Sequence, residues 1–380
     1  MLFAMNKQGI NFLLVVFILV ETLCYTYLQQ TGLYYSSSVL YFLSGLGICF
    51  LPLLLPTSES QYPKRNFFIP IAFLILISIL LIPVLSAGFQ KLPLDYHIAD
   101  MLPRIKIYAT RFLHGNYVYD DVTEIWGGNL PPYFPATWAP YIPAVLFGFD
   151  MRWITVTAFL TAVFMMLFML RRQTGFFDNF TTLVLLVSLF FLVNYNMYFG
   201  SEIWVLSYEA LIAFYYVLLC LAIISWNPYL IGGAITFCVL SRFSLSFWVP
   251  AFLIFLWWKQ SFQFALKTGG TIAVAVLCLF VLPFVVGHLD AFGKIIEQYQ
   301  SGSAVFWDSN NIDGHGYREV GLFKFFTASQ SHLLRPIQLV STIVAPIFFM
   351  GAAVKFLPTF KNKNILIGLC SLKLERLLPP

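Results

Sequence analysis

Charged residues are scarce in this sequence, since Asp, Glu, Lys and Arg make up only 10% of its 380 residues. An ordinary soluble domain has about 25%. Hydrophobic residues reach 59%, and runs such as 67–87 and 271–287 are long enough to cross a hydrocarbon core of ~30 Å, which needs about 20 helical residues. These features argue against a soluble globular chain and predict an all-α polytopic membrane protein.

Several functional signatures are also missing. The six cysteines lie in apolar segments without a CxxC pair, which favours packing over disulfide or zinc roles. No Walker A, GxGxxG or GxSxG motif is present, which argues against nucleotide-driven and serine-hydrolase chemistry. The net charge of +5 comes from basic residues that cluster at helix ends on one side. Membrane topology therefore explains that charge better than nucleic-acid binding does.

We predict one transmembrane domain over 1–380 with about ten transmembrane helices. The spans are roughly 11–28, 38–55, 67–87, 153–170, 180–199, 203–224, 229–240, 243–258, 271–287 and 337–357, with a partial helix at 138–149. The basic residues that set the orientation are Lys7, Lys64, Arg65, Arg171, Arg172, Lys259, Lys267, Lys355, Lys361 and Lys363. By the positive-inside rule they place the N-terminus in the cytoplasm, and a bacterial inner membrane is the expected location.

Two long polar loops then lie on the outer side, at 88–152 and 288–336. The segment 358–380 is expected to be a cytoplasmic tail or a truncated span. No internal repeat is detectable, which weakens the expectation of a transporter built from duplicated halves.

The first outer loop begins with "DYHIADMLPRIKIYATRFLHGNYVYDD", residues 95–121. Asp100 is a predicted N-cap, Pro103 fits the first turn and Gly115 ends the helix. One face is apolar, and the opposite face carries Arg104, Tyr108 and Arg111. This pattern predicts a short amphipathic helix in the membrane interface, with its cations at headgroup depth.

After this helix the chain continues as a proline-rich stretch. The prolines at 131, 132, 135, 140 and 143 predict an irregular path rather than a helix. Tyr133, Trp138 and Tyr141 suit an aromatic belt at the membrane interface.

Carboxylates and arginines close to a bilayer indicate chemistry on a lipid phosphate. A carboxylate such as Asp100, or Asp95 as second choice, accepts a proton from an attacking hydroxyl. Guanidinium groups hold a departing phosphate. The competing interpretation of Asp100 is simple helix capping.

The order of an apolar span, Asp100, a helix ending in "RFLHGNYVYD", and "PPYFPATWAPYIP" resembles the first outer loop of GT-C-type integral membrane glycosyltransferases. Asp100, Gly115 and Tyr119 fit the family's pattern of an acid, a helix and G-x-x-x-Y. The resemblance covers mainly residues 90–153. It implies a polyprenyl-phosphate sugar as donor and Asp100 as the general base.

Arg242, in "SRFSLSFWVP", is the best single basic candidate, because an arginine within the membrane is functional by default. A tight helical hairpin is expected to place it near the outer surface or in a wet cavity, and a phosphate is its natural partner. The alternatives are pairing with Glu202 or Glu209, or snorkelling to the interface. These glutamates share one helix face and are either counter-ions of Arg242 or acceptor-binding groups.

Two weaker groups remain. His315 and Arg318, in the second outer loop, are candidate sugar or pyrophosphate ligands, although a turn histidine is the favoured interpretation of His315. Asp120, Asp121 and Glu124 offer oxygen ligands for a divalent cation, the one cofactor that the sequence suggests. A solvated acidic loop is favoured for them because no glycine-punctuated calcium loop surrounds them.

The leading functional prediction is a glycosyltransferase that moves a sugar from a polyprenyl phosphate to a lipid-linked or cell-envelope acceptor. Asp100 serves as base, and Arg242, with Arg104, Arg111 or Arg318, stabilises the leaving phosphate. The alternatives are a transporter or flippase of a lipid-linked saccharide, and an inactive or truncated relative. Membrane lipids are the other expected partners.

Overall fold

The computed structural model describes residues 7–24, 34–50, 68–97, 99–125, 133–172 and 207–290, with a few single positions between 293 and 369. Within these ranges the chain is helical and contains no strand, which confirms the predicted all-α class. The α-helices are α1 Lys7–Leu23, α2 Tyr34–Phe50, α3 Phe68–Lys91, α4 Met101–Leu113, α5 Pro135–Trp138, α6 Ile142–Phe147, α7 Arg152–Arg172, α8 Glu209–Ser225, α9 Pro228–Val239, α10 Trp248–Lys259 and α11 Phe262–Val276.

One helix in the described ranges is long and apolar enough to cross a membrane, Phe262–Val285. The described residues therefore support one crossing rather than about ten. Shorter apolar helices accompany it, at Val39–Ile48, Arg152–Met166, Glu209–Ser225, Pro228–Val239 and Leu245–Lys259. The predicted span 180–199 lies outside the described residues.

The crossing helix begins at Phe262, whereas the sequence pattern placed its start at 271. Ser261 is its N-cap, with a side-chain oxygen that accepts a hydrogen bond from the backbone N–H of Phe264 at 3.1 Å. The hydroxyls of Thr268 and Thr271 donate to carbonyls one turn earlier. The polar stretch 267–271 is thus accommodated inside the helix instead of ending it. Beyond Val276 the helix widens into a π-helix, Leu277–Val285.

The core of this helical group is formed where α9 packs between α8 and α11. Gly232 of α9 lies directly against α11. A Cβ atom there would come within 2.7 Å of the Thr271 side chain and 2.8 Å of the Thr268 carbonyl oxygen. A residue without a side chain is therefore required at this crossing.

Arg242 separates α9 from α10, as the sequence predicted. It has extended backbone angles (φ −141°, ψ 116°). A 3-10 turn, Phe243–Phe247, then leads into α10. The two helices are therefore separated at Arg242 and do not form one continuous helix.

The proline-rich stretch forms short helical segments, so the prediction of an irregular path is wrong for residues 135–147. Pro135 begins α5, a 3-10 turn covers Ala139–Tyr141, and Pro143 lies in the first turn of α6. Proline is tolerated there because the first N–H groups of a helix have no partner within it. Prolines 131 and 132 lie outside the described residues.

Candidate functional site

Asp100 occupies the predicted N-cap position of α4, but its side chain makes no capping hydrogen bond. Its carboxylate instead pairs with Arg104 one turn later, through Oδ2. Within the described ranges Oδ1 accepts no hydrogen bond. Side-chain capping therefore does not explain this aspartate, and one carboxylate oxygen remains available to another group.

Arg104, on the predicted cationic face of α4, lies inside the protein, and its position at headgroup depth stays a prediction. That side chain is only 2% exposed, and its guanidinium lies 4.8 Å from the ring centroid of Tyr133. Tyr108 is buried beside it, and burial raises its pKa to about 12. The predicted apolar face is covered too, apart from Phe112, which is exposed. Burial of the Arg104 guanidinium is compensated by its pairing with Asp100 and by the aromatic face of Tyr133.

Arg242 pairs with Glu209, one of the two glutamates that the sequence offered as its counter-ion. Glu209 is the first residue of α8, where the helix dipole favours an acid. Burial lowers the pKa of Arg242, whereas the charge of Glu209 and the neighbouring tyrosines raise it by more, so the net shift is upward. Both side chains keep about one third of their surface exposed (33% and 32%), so they remain accessible.

Two tyrosines connect these ion pairs. The ring of Tyr133 contacts Arg104 and also meets the ring of Tyr208 edge to face, with centroids 5.0 Å apart. Tyr208 immediately precedes Glu209. The pKa of Tyr133 is raised well above its usual value by burial first and then by Tyr208, while Arg104 opposes the shift.

The electrostatic link extends across the whole group. Asp100 acts on the pKa of Tyr133, and both Tyr133 and Tyr208 act on that of Arg242. We call Asp100, Arg104, Tyr133, Tyr208, Glu209 and Arg242 the paired-charge site. Sequence reasoning found its charges but missed Tyr208 and gave Tyr133 only a belt role, because aromatic residues are common throughout this chain.

Arg111 was predicted to hold phosphate, but its donors are used within the protein. Its Nη atoms donate to the carbonyl oxygens of Val118 at 3.3 Å and Asp121 at 3.0 Å, and to that of Asp120. Its ion pair with Glu124 is long, at 3.8 Å. Arg111 therefore fixes the turn that follows α4, and its phosphate role stays a prediction.

Tyr119, which fits the family pattern, is buried in an aromatic cluster. Its hydroxyl accepts a hydrogen bond from Trp138 Nε1 at 3.3 Å, and its ring contacts Phe280 and Phe284 of the π-helix. Tyr119, which the sequence also offered as a substrate-binding candidate, packs in this cluster, and its substrate contact stays a prediction. Trp138 and Tyr141 are also buried rather than in an interfacial belt.

The remaining acids of this loop do not converge. Asp120, Asp121 and Glu124 are exposed, and no three metal-ligating side chains form a group in the part of the chain that the structure describes. Asp95 Oδ1 accepts a hydrogen bond from the backbone N–H of His97 at 2.9 Å, which closes a local turn. The predicted candidates Glu202, His315 and Arg318 lie outside the described residues.

A second buried arginine was missed by sequence reasoning. Arg152, 4% exposed, pairs with Asp150 and donates to the carbonyl oxygens of Phe89 at 3.0 Å and Leu92 at 2.6 Å. These contacts tie the end of α3 to the start of α7. They fix the point at which the chain leaves α3 towards Asp100.

Comparison with protein-family models, with curated proteins and with solved structures found no match for this chain.

Proposed function

We propose that this protein is a membrane glycosyltransferase that moves a sugar from a polyprenyl-phosphate donor to a lipid-linked or cell-envelope acceptor. The observation that carries the proposal is the paired-charge site. It joins an aspartate with one available oxygen to an arginine with further donors, through two contacting tyrosine rings. The sequence resemblance to GT-C enzymes around Asp100 supports the same reaction class.

In the proposed reaction the acceptor hydroxyl oxygen attacks the anomeric carbon of the donor sugar. The bond between that carbon and the phosphate oxygen breaks, and its electron pair leaves with polyprenyl phosphate. Oδ1 of Asp100 takes the hydroxyl proton and later releases it to water. Arg104 holds the carboxylate in place through Oδ2.

Arg242 is the proposed partner of the leaving phosphate. Its Nη2 is engaged by Glu209, and in the described ranges its other guanidinium nitrogens donate no side-chain hydrogen bond. A phosphate has the geometry to accept two of them together. Charge that develops on the leaving oxygen is thereby stabilised where the arginine is already fixed.

The proposed setting is a bacterial inner membrane crossed about ten times, with the N-terminus in the cytoplasm and the loops 88–152 and 288–336 outside. The helix Phe262–Val285, which is long and apolar enough to cross a membrane, supports the membrane setting. The donor phosphate would then meet the site at the outer headgroup level.

The test is release of polyprenyl phosphate by purified protein, supplied with a panel of polyprenyl-phosphate hexoses and an extract of envelope lipids as acceptor. We expect Asp100→Asn to lower the rate by at least ~10²-fold, the usual contribution of a general base. Asp121→Asn, a matched change at an exposed acid of the same loop, should leave the rate unchanged.

Full activity of Asp100→Asn would reject the assignment of the base. If intact lipid-linked saccharide crosses vesicles made with the protein while no polyprenyl phosphate is released, the protein is a flippase instead. In that case translocation should persist when every carboxylate in 95–124 is neutralised.

A further inference from the structure

The turn between α10 and α11 exposes an unusual combination of side chains. Trp257 and Trp258 are 58% and 62% exposed, and Phe262 is 59% exposed. Lys267 is exposed as well, and Lys259 lies between the two tryptophans and Phe262 in sequence. We call these five residues the α10–α11 corner. Large aromatic side chains and lysines together are typical of the boundary between hydrocarbon and headgroups.

The position of the corner in the fold supports that boundary. It lies at the first residue of Phe262–Val285, the helix that is long and apolar enough to cross a membrane. The neighbouring turn between α8 and α9 is at the same level, because the ring of Trp226 stacks on that of Phe264 with centroids 5.9 Å apart. A membrane surface that passes through the α10–α11 turn therefore passes through the α8–α9 turn as well.

Two pairs of side chains in the corner contact each other. The Lys259 ammonium nitrogen lies 4.5 Å from the ring centroid of Trp258. The rings of Trp257 and Phe262 meet edge to face with centroids 5.7 Å apart. The aromatic rings hold Lys259 at the surface, where a cation over an aromatic face keeps its charge available to an anion.

The charge of this surface has one sign. The sequence contains no Asp or Glu between Glu209 and Asp290. Glu209 itself is the first residue of α8, at the end opposite to the corner. Helices α8 to α11 therefore bring no carboxylate to the corner. Two lysines that no acid of these helices neutralises attract anions. Trp257, Trp258 and Phe262 at the same time require an apolar neighbour. An anionic phospholipid satisfies both requirements, because its headgroup is negative and its acyl chains are apolar.

We propose that the α10–α11 corner binds the headgroup of an anionic phospholipid, with Lys259 and Lys267 contacting the phosphate and Trp257, Trp258 and Phe262 lying against the upper acyl chains. This binding is independent of glycosyl transfer, since it uses none of the residues of the paired-charge site. It anchors the crossing helix at one defined depth.

The test uses the full chain in nanodiscs that contain phosphatidylcholine and a small fraction of brominated lipid, which quenches tryptophan fluorescence on contact. Brominated phosphatidylglycerol is compared with brominated phosphatidylcholine, and a Trp257→Phe, Trp258→Phe variant identifies the signal of the corner. We expect phosphatidylglycerol to be preferred, and the preference to fall about fivefold for each lysine changed to Gln.

The matched control is the pair Lys91→Gln and Lys106→Gln, because Lys91 also ends a helix and Lys106 is an exposed helical lysine. That variant loses the same net charge and should keep the preference. Lys259→Arg with Lys267→Arg should keep it too, which separates the charge from a structural role. Excess inorganic phosphate at constant ionic strength should not displace the lipid.

Equal quenching by the two brominated lipids in the unaltered protein would overturn the proposal. So would equal loss of preference in the two Lys→Gln pairs, which would assign the effect to net charge alone. If the double variant at the corner does not fold, the exposed Lys267→Gln alone carries the test.

Discussion

The rings of Tyr133 and Tyr208 lie edge to face, with centroids 5.0 Å apart and planes inclined by 69°. This contact joins two ion pairs that are distant in sequence, Asp100 with Arg104 and Glu209 with Arg242. The start of α4, Tyr133 and the start of α8 are thereby held together. A carboxylate on one side and a guanidinium on the other keep a fixed relation, which the proposed glycosyl transfer requires.

The first prediction concerns the ring of Tyr133. Tyr133→Ala removes the aromatic face under Arg104 and the contact with Tyr208, so we expect the free energy of unfolding to fall by about 2–3 kcal/mol. Tyr133→Phe keeps the ring and should stay within ~1 kcal/mol of the unaltered protein. Denaturation in mixed micelles, followed by tryptophan fluorescence, measures both. A similar loss in the two variants would show that the hydroxyl, not the ring, matters.

Helix α4 shows which features of the fold were predictable from sequence. Its bounds followed from local signals, since Asp100 precedes the first residue and Gly115, with φ +71°, lies just past the end. The direction of its cationic face did not follow. The partner that buries Arg104 is Tyr133, which reaches it only through the path of the proline-rich segment. Local patterns cannot show a contact made by the tertiary fold.

The arginines likewise show what the sequence could and could not predict: Arg242 was found and Arg152 was missed. Arg242 was predictable because a charge inside an apolar run demands a special environment. The sequence pattern left its pairing open between Glu202 and Glu209, and the contact with Glu209 is made by the tertiary fold. Arg152 was missed because an arginine at the start of a helix resembles an ordinary interfacial residue. Its contacts are with Phe89 of α3 and with Leu92 just after that helix, far away in sequence.

The second prediction compares two adjacent glycines of α9. Gly232→Ala places a methyl group within 2.7 Å of Thr271, and backbone at Thr268 prevents a simple adjustment. We expect the free energy of unfolding to fall by about 1–3 kcal/mol. Gly233→Ala has nothing within 4 Å of the added atom. It should stabilise the helix by up to ~1 kcal/mol through helix propensity.

Thermal unfolding of the two glycine variants under identical detergent conditions gives the comparison. Opposite signs are the expected result. Destabilisation by both would mean that α9 needs flexibility at this point rather than close contact with α11.

The third prediction concerns Arg152, whose guanidinium holds Asp150 and two carbonyl groups at the end of α3. Arg152→Met leaves the carbonyls without these donors and a partly buried carboxylate without its cation. We expect a loss of about 3–5 kcal/mol in the free energy of unfolding. Lys106→Met, at an exposed position, is the control and should change it by less than ~0.5 kcal/mol. A small effect at Arg152 would mean that water replaces its contacts.

The fourth prediction separates the structural and functional roles of Glu209. Because Glu209 occupies Nη2 of Arg242, it competes with any phosphate that approaches the guanidinium. Glu209→Gln should therefore lower the free energy of unfolding by about 1–2 kcal/mol. This loss lies between those expected for exposed and for buried ion pairs, because both side chains are partly exposed. The same change should lower KM for the polyprenyl-phosphate donor, because Arg242 is freed to bind it.

Arg242→Gln should also lower the free energy of unfolding. It should raise KM for the donor, because the phosphate loses its partner. The double variant should lose less stability than the sum of the two single losses, since neither charge is left alone. Chemical unfolding of the three variants, together with initial rates over a range of donor concentrations, measures these differences. A rise in KM for Glu209→Gln would make the glutamate itself a substrate ligand and remove Arg242 from the phosphate.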